Sequence, residues 1–310
     1  MVPVSDAEAE EFLAGYYGDR AADVRVLGAG DWSRAYSLVL DGREAVIRFG
    51  QHAEDFRKDQ VMASHNSAAL PIPQIIEIGT AGSGYFAVSA RAFGQPIDTL
   101  DGDGMRAALP ALLAVLDALR DIDVTGTTGY GIWAPDQAGP APTWAQALLA
   151  ISQDNPRLPG WRAALAASPA DTGLYDQAYA KLQQLTASLP DHRHLVHGDL
   201  LRNMLVRGSQ ITAVFDWANA LYGDWLYDAA WLIFCTPWFP RLHHIDITAG
   251  LRQHWDRHGI TPPDLQPRLQ ACLLHIGLGA MAYNAYRQSW DDLALSTRQT
   301  AQALSPLPAP

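Results

Sequence analysis

Apolar and polar positions alternate in two rhythms along this chain, and the change of rhythm divides it. Ser5-Asp6-Ala7-Glu8 is a capping box that opens a helix running to about Tyr17. A strand rhythm follows in Val24–Leu27, in the alternating run Ala35–Leu40 and in Glu44–Phe49, with Asp41-Gly42 as a two-residue hairpin turn. Glu54–Met62 has helical character, and Leu70-Pro71-Ile72-Pro73 cannot lie inside a helix. Gln74–Ile78 and Tyr85–Ser89 are two more strands about a Gly-rich turn. Five strands and one principal helix make a small lobe.

From Met105 the rhythm lengthens. Leu109–Ile122 carries an apolar stripe at spacings 3, 4 and 7, whereas Thr125–Pro142 is rich in Gly, Pro and Thr and is expected to be a long loop. Trp144–Ile151, Tyr175–Leu189, Pro267–Gln288 and Asp291–Leu304 are further predicted helices. Leu195–Trp217 interrupts them with a short apolar entry, a polar loop His197–Arg202 and two β-runs, Met204–Val206 and Ile211–Phe215, closed by Asp216. There is no internal repeat, and only the tail Ser305–Pro310 is of low complexity and expected to be mobile.

Composition narrows the class. The chain has 310 residues, 48% apolar and 18% charged, as a soluble globular protein has. No basic region followed by an apolar run opens it, and no stretch approaches the length of a membrane span, so a cytoplasmic protein away from membranes is expected. Two cysteines, Cys235 and Cys272, lie in apolar surroundings and read as buried free thiols. The excess of 33 acidic over 22 basic residues, a net charge of −11, argues against nucleic acid. It suits a small cationic partner, although solubility alone would also explain it.

The chemistry sits in the Leu195–Trp217 stretch. A hairpin brings its two ends together, so Asp199 and Asn203 before the first strand face Asp216 after the second. A carboxylate, a carboxamide and a second carboxylate suit phosphoryl transfer from a metal nucleotide. One Asp takes the proton of the attacking hydroxyl, while the Asn and the other Asp hold metal. His, Asp and Asn are also common turn residues, and only the three groups placed around a hairpin raise the chemical reading above the structural one.

His197-Gly198-Asp199, Asn203 and Asp216-Trp217 resemble the signature of the aminoglycoside phosphotransferase family, a branch of the protein-kinase-like fold. The continuation FDWANALYGDWLYDAAWLIFCTPW is similar to its hygromycin B branch. One departure stands out: Asn203 comes four residues after Asp199, where the family usually spaces the pair by five.

The resemblance implies an α+β, two-lobed architecture. An antiparallel N-lobe would span residues 1–92, a helical C-lobe 93–310, and a hinge about 89–95 would take the nucleotide base through Ser89 and Arg91. It implies a monomeric kinase that uses ATP or GTP with Mg2+ to phosphorylate a hydroxyl of an aminoglycoside-like antibiotic, giving resistance. Asp199 is then the base, and Asn203 and Asp216 bind metal. Gly28, Gly30 and Ser33 lie over the phosphates, with Arg48 where kinases place Lys and Asp59 as its anionic partner. His197 shapes the loop, and Asp228 braces it from a helix below. Asp224, Trp238, Tyr283 and Asn284 are the candidates for acceptor contact. A kinase of another small alcohol, or a pseudokinase that binds nucleotide without transfer, remains open at this level.

Overall fold

A computed structural model describes residues 4–30 and 32–305. Asp31 of the glycine loop and residues 306–310 of the tail lie outside the described residues. The contacts define two compact units. One runs through Ile97 and takes in Asn203–Asn219; the other comprises Asp98–Arg202 and the chain from Ala220 onward.

In the first unit α1 (Asp6–Tyr16) starts with the expected capping box. The Ser5 hydroxyl accepts from the Glu8 amide, and the Glu8 carboxylate accepts from the Ser5 amide at 2.7 Å. Then come β1 (Ala21–Ala29), β2 (Ser33–Leu40), β3 (Arg43–Gly50), α2 (Ala53–Ala63), β4 (Ile75–Ala81) and β5 (Gly84–Ala90). The five strands form one antiparallel sheet in the order β1-β2-β3-β5-β4. Asp41 and Gly42 join β2 to β3 with φ of 50° and 76°, the left-handed pair whose twist matches the strands they connect. Alternation puts Tyr36, Leu38, Ile47, Phe49, Phe86 and Val88 on one face, where Phe12 and Leu13 of α1 cover them. Full burial of Phe49 or Phe86 contributes about 1.5–3 kcal/mol. Arg48, between Ile47 and Phe49, therefore projects from the opposite face.

The short β6 (Gln95–Pro96) follows, and the chain enters the second unit. It runs through α3 (Gly102–Arg120), β7 (Gly131–Ile132), α4 (Trp144–Leu149), α5 (Trp161–Ala166), α6 (Thr172–Thr186) and β8 (His194–Val196). The hairpin β9 (Met204–Arg207) and β10 (Gln210–Val214) returns to the first unit, where β9 pairs with both β10 and β6. Next come β11 (Leu221–Gly223), α7 (Leu226–Cys235), α8 (Ile247–His258), α9 (Leu265–Arg287) and α10 (Trp290–Ala303). α9 is the centre of the second unit. Leu269, Cys272, Leu274, Ile276, Leu278 and Met281 are buried around its circumference, as in a helix packed on several sides.

The segment expected as a loop over Thr125–Pro142 is more ordered than its composition implies. It contributes β7 to a three-stranded sheet with β11 and β8, and Arg193 fastens it through the carbonyls of Val124 and Gly129 and the Thr127 hydroxyl. α5 and α8 were not anticipated, although α8 has Ile247, Leu251 and Trp255 on one face. Asp246 caps its N-terminus and Gly259 ends it at φ 64°. Cys272 is buried, but Cys235 is only half-buried. Among the described residues no helix is long and apolar enough to cross a membrane.

Candidate active site

In the first unit the polar groups gather where α2 meets the end of the hairpin. The amide of Phe215 donates to the carbonyl of Asn203 at 3.1 Å, carrying the β9–β10 pairing one step further. Asn203 and Asp216 thus leave adjoining strand ends. Asn203 is buried, whereas the Asp216 side chain is 39% exposed. Asp216 adopts φ 62°, a left-handed conformation that a non-glycine residue holds at some cost and that recurs at functional sites.

α2 anchors this corner. Asp59, 4% exposed, accepts from the Trp217 amide at 2.8 Å through one carboxylate oxygen and pairs with the Arg48 guanidinium through the other. The second Arg48 terminal nitrogen lies 3.8 Å from Asp216, and the Phe56 ring underlies the guanidinium at 5.3 Å. Arg48 is therefore not a solvated surface group, and Asp59 is its anionic partner. The buried Lys58, which the sequence did not single out, donates to the Ala218 carbonyl at 2.8 Å. The adjacent Lys-Asp pair on α2 was its only sequence signal.

The glycine loop lies at the β1–β2 turn. Gly28 pairs with Ala35, and the Gly30 amide donates to the Ser33 carbonyl at 2.9 Å. Neither glycine has positive φ, a Cβ on Gly28 would meet nothing within 4 Å, and one on Gly30 would only touch Ser33. Internal packing does not demand these glycines. Ser89 closes β5 against β3, and Arg91 is paired with Glu44 at 2.6 Å and stacked on Phe93.

The second unit holds the loop that carries Asp199. Asp228, in the first turn of α7 and 3% exposed, accepts from the amides of His197 at 2.9 Å and Gly198 at 2.8 Å. Gly198 has φ 77°, which only glycine adopts without strain. The Asp199 amide donates to His197 Nδ1 at 3.2 Å, so that nitrogen is unprotonated and the fully buried ring fixes backbone rather than taking a substrate proton. Asp199 itself is half-buried, held at the rim of a backbone clamped from below. Burial pushes the Asp228 carboxyl up to about 6, against the downward pull of the two amide donors. Burial also raises the Cys235 thiol; the Asp199 charge adds to that rise and Arg202 opposes it.

Two of the four acceptor-contact candidates are committed elsewhere. Asp224 is 1% exposed and makes a two-pronged pair with Arg268 at 2.7 and 2.8 Å, while also accepting from the Leu226 amide. Asn284, 8% exposed, donates to the Ser296 hydroxyl within the α9–α10 packing. Neither presents a polar group to a ligand, because a buried carboxylate or carboxamide must be satisfied by the chain itself. Trp238 is half-exposed, stacks on Phe234 and donates to Asp292 at 3.0 Å. Tyr283 is half-buried on α9.

The chain is similar to known proteins over most of its length. A family model described as "Phosphotransferase enzyme family" matches residues 23–260. Hygromycin-B 4-O-kinase of Escherichia coli is 32% identical over 290 residues, covering 92% of this chain and 81% of that protein. A crystal structure of aminoglycoside phosphotransferase APH(4)-Ia matches with a TM-score of 0.83 at 30% identity, covering 97% of this chain and 98% of the other. A thermostable mutant of that enzyme, in a ternary complex with AMP-PNP and hygromycin B, matches at 0.82 and 31% identity over 96% and 98% of the two chains. Spectinomycin phosphotransferase APH(9)-Ia shares the fold at a TM-score of 0.60 and 12% identity, over 97% of this chain and 94% of the other. With the family model spanning most of the sequence and a third of the residues shared with one member, the chain belongs to the APH phosphotransferase family and is an enzyme that phosphorylates a hydroxyl group.

Proposed function

We propose that this chain transfers the γ-phosphoryl group of ATP or GTP to a hydroxyl of hygromycin B or a closely related aminoglycoside, acting as a cytoplasmic monomer and conferring resistance. The observation that carries the chemical half is the Asp228-clamped loop. It presents a half-buried carboxylate, Asp199, next to two backbone amides that Asp228 accepts from. Asp199 accepts the proton as the acceptor oxygen attacks phosphorus, a step in which position and charge neutralisation do most of the work. The acceptor rests on the 32% identity with Hygromycin-B 4-O-kinase and on the match to the hygromycin B complex.

Asn203 and Asp216 fit a Mg2+ ion. Both offer hard oxygen donors from adjoining strand ends, and Mg2+ is ordinarily held by one or two such groups together with phosphate oxygens and water. When bound, the ion neutralises phosphate charge. Arg48, already bent toward Asp216, would hold the α/β-phosphates, and Gly28, Gly30 and Ser33 would lie over them with amides unshielded by side chains. Ser89 and Arg91 would lie beside the nucleotide base. Trp238 and Tyr283 remain as acceptor contacts.

The test is direct. Purified protein is incubated with hygromycin B and either nucleotide, and the antibiotic is then weighed by mass spectrometry. A gain of one phosphoryl group is expected. If hygromycin B is unchanged while a macrolide or an amino alcohol gains the phosphate, the acceptor assignment is wrong; if nothing is modified, the transfer reading fails.

A further inference from the structure

Lys58 is a buried cation outside the set of groups assigned to nucleotide or metal. It lies on α2, 2% exposed, and donates to the Ala218 carbonyl at 2.8 Å. Taking an ammonium group out of water is unfavourable, and a corner that only had to pack would be filled better by an apolar side chain. What the ammonium grips is the chain two residues beyond Asp216. Its neighbour Asp59 accepts from the Trp217 amide at 2.8 Å. Consecutive residues of α2 therefore hold consecutive residues of this segment, one by its N–H and the next by its C=O. On the other flank the Phe215 amide donates to the Asn203 carbonyl at 3.1 Å, which ties that side to the hairpin. All of these groups belong to the first unit.

Asp216 is thus a single residue between two anchored stretches. Its φ of 62° is a conformation that a non-glycine residue leaves unless its surroundings hold it there. The nearest Arg48 nitrogen is 3.8 Å from its carboxylate, too far for a hydrogen bond, so the backbone sets the direction of the side chain. We infer that Lys58 is a positioning residue for Asp216: by holding the Ala218 carbonyl it keeps the strained backbone in the conformation that presents the carboxylate to Mg2+. It acts through the chain and not by contact with the ion. The inference rests on the reading of Asp216 as a metal donor and on no view of the acceptor. It also has a sign that simple electrostatics opposes. One cation repels another, so loss of the Lys58 charge would by itself favour metal binding, whereas loss of the positioning contact weakens it. Asp59 is less suited to the test, because it is also the counter-ion of Arg48.

The experiment compares K58M, K58R and D216N with the parent protein. Mn2+ stands in for Mg2+, so that free ion can be counted by electron paramagnetic resonance, and the protein is kept in excess over a non-hydrolysable nucleotide. Nucleotide affinity without metal is measured separately by equilibrium binding. K58M is expected to raise the Mn2+ Kd by about 10–100-fold, the usual loss when a group that orients a metal donor is removed, with metal-free nucleotide affinity unchanged within twofold. K58R, which keeps both charge and donor, should lie closer to the parent than to K58M. Should K58M fail to fold, K58Q, whose shorter side chain also loses the contact, takes its place with the same expected loss. If D216N binds Mn2+ as the parent does, Asp216 is not a donor and the inference falls with that reading. If D216N weakens Mn2+ binding while K58M leaves it unchanged or tightens it, the role of Lys58 alone is overturned. A K58M protein that loses metal-free nucleotide affinity in step with Mn2+ affinity also overturns it, since the residue then only holds the first unit together.

Discussion

Burial of the Asp228 carboxyl disfavours its charge, while the amides of His197 and Gly198 draw that charge toward the loop. The outcome is a folded-state value of about 6, raised above the 3.8 of an unperturbed Asp. A raised acid contributes stability that is fully present below the unfolded value and lost as pH climbs through the folded one. From about pH 4 to 6 the protein should therefore lose roughly 3 kcal/mol at this residue. Activity should run the other way, because the ionised carboxylate accepts both amides and its protonated form does so poorly. D228N tests both signs. The carboxamide has one acceptor oxygen and turns an NH2 toward the remaining amide, so kcat should fall by about 10²-fold with nucleotide affinity unchanged. Urea unfolding at the two ends of that pH window should show that the parent's stability slope is missing in D228N. Parallel slopes would remove Asp228 as their source. The bracing role of Asp228 was legible in the sequence, since the family pattern places a carboxylate there. The φ of 77° that makes Gly198 irreplaceable was not.

At the level of elements, α7 transmits order from α9 to the catalytic loop. Arg268 on α9 grips Asp224, Asp224 accepts from the Leu226 amide at the start of α7, and Asp228 one turn on reaches the loop. The i,i+4 spacing of the two acids could be read from sequence, but their division of labour could not. Asp224 looked like an acceptor contact because nothing local announces Arg268, which reaches it from a helix 44 residues further along the chain. D224N should leave a buried guanidinium short of its counter-charge and cost about 3–5 kcal/mol. The expected signature is a large drop in unfolding midpoint, with the acceptor KM of the remaining folded enzyme unchanged. A raised KM at unaltered stability would restore Asp224 to the acceptor site. The short strands β7, β8 and β11 were missed for a related reason. Two- and three-residue strands have no periodicity to detect, and they exist because they pair with one another.

At the scale of the whole molecule, the residues proposed for transfer are divided between two compact units. Arg48, Asp59, Asn203 and Asp216 belong to the first, and Asp199 and Asp228 to the second. A linear reading places the hairpin with the helices around it in sequence. Its assignment to the first unit follows from long-range bonds, Asp59 to the Trp217 amide and Lys58 to the Ala218 carbonyl, that no local pattern encodes. The antiparallel five-stranded sheet, by contrast, was legible almost strand by strand, because alternation and the Asp41-Gly42 turn are local signals. This division makes a clean separation of functions testable in one variant. In D199A the nucleotide-binding groups of the first unit are untouched, so the Kd for ATP or GTP should stay within about twofold, while kcat for hygromycin B phosphorylation falls by about 10²–10⁴-fold. A D199A enzyme that turns over at the parent's rate, or that loses nucleotide binding along with turnover, would contradict the assignment of Asp199 as the base.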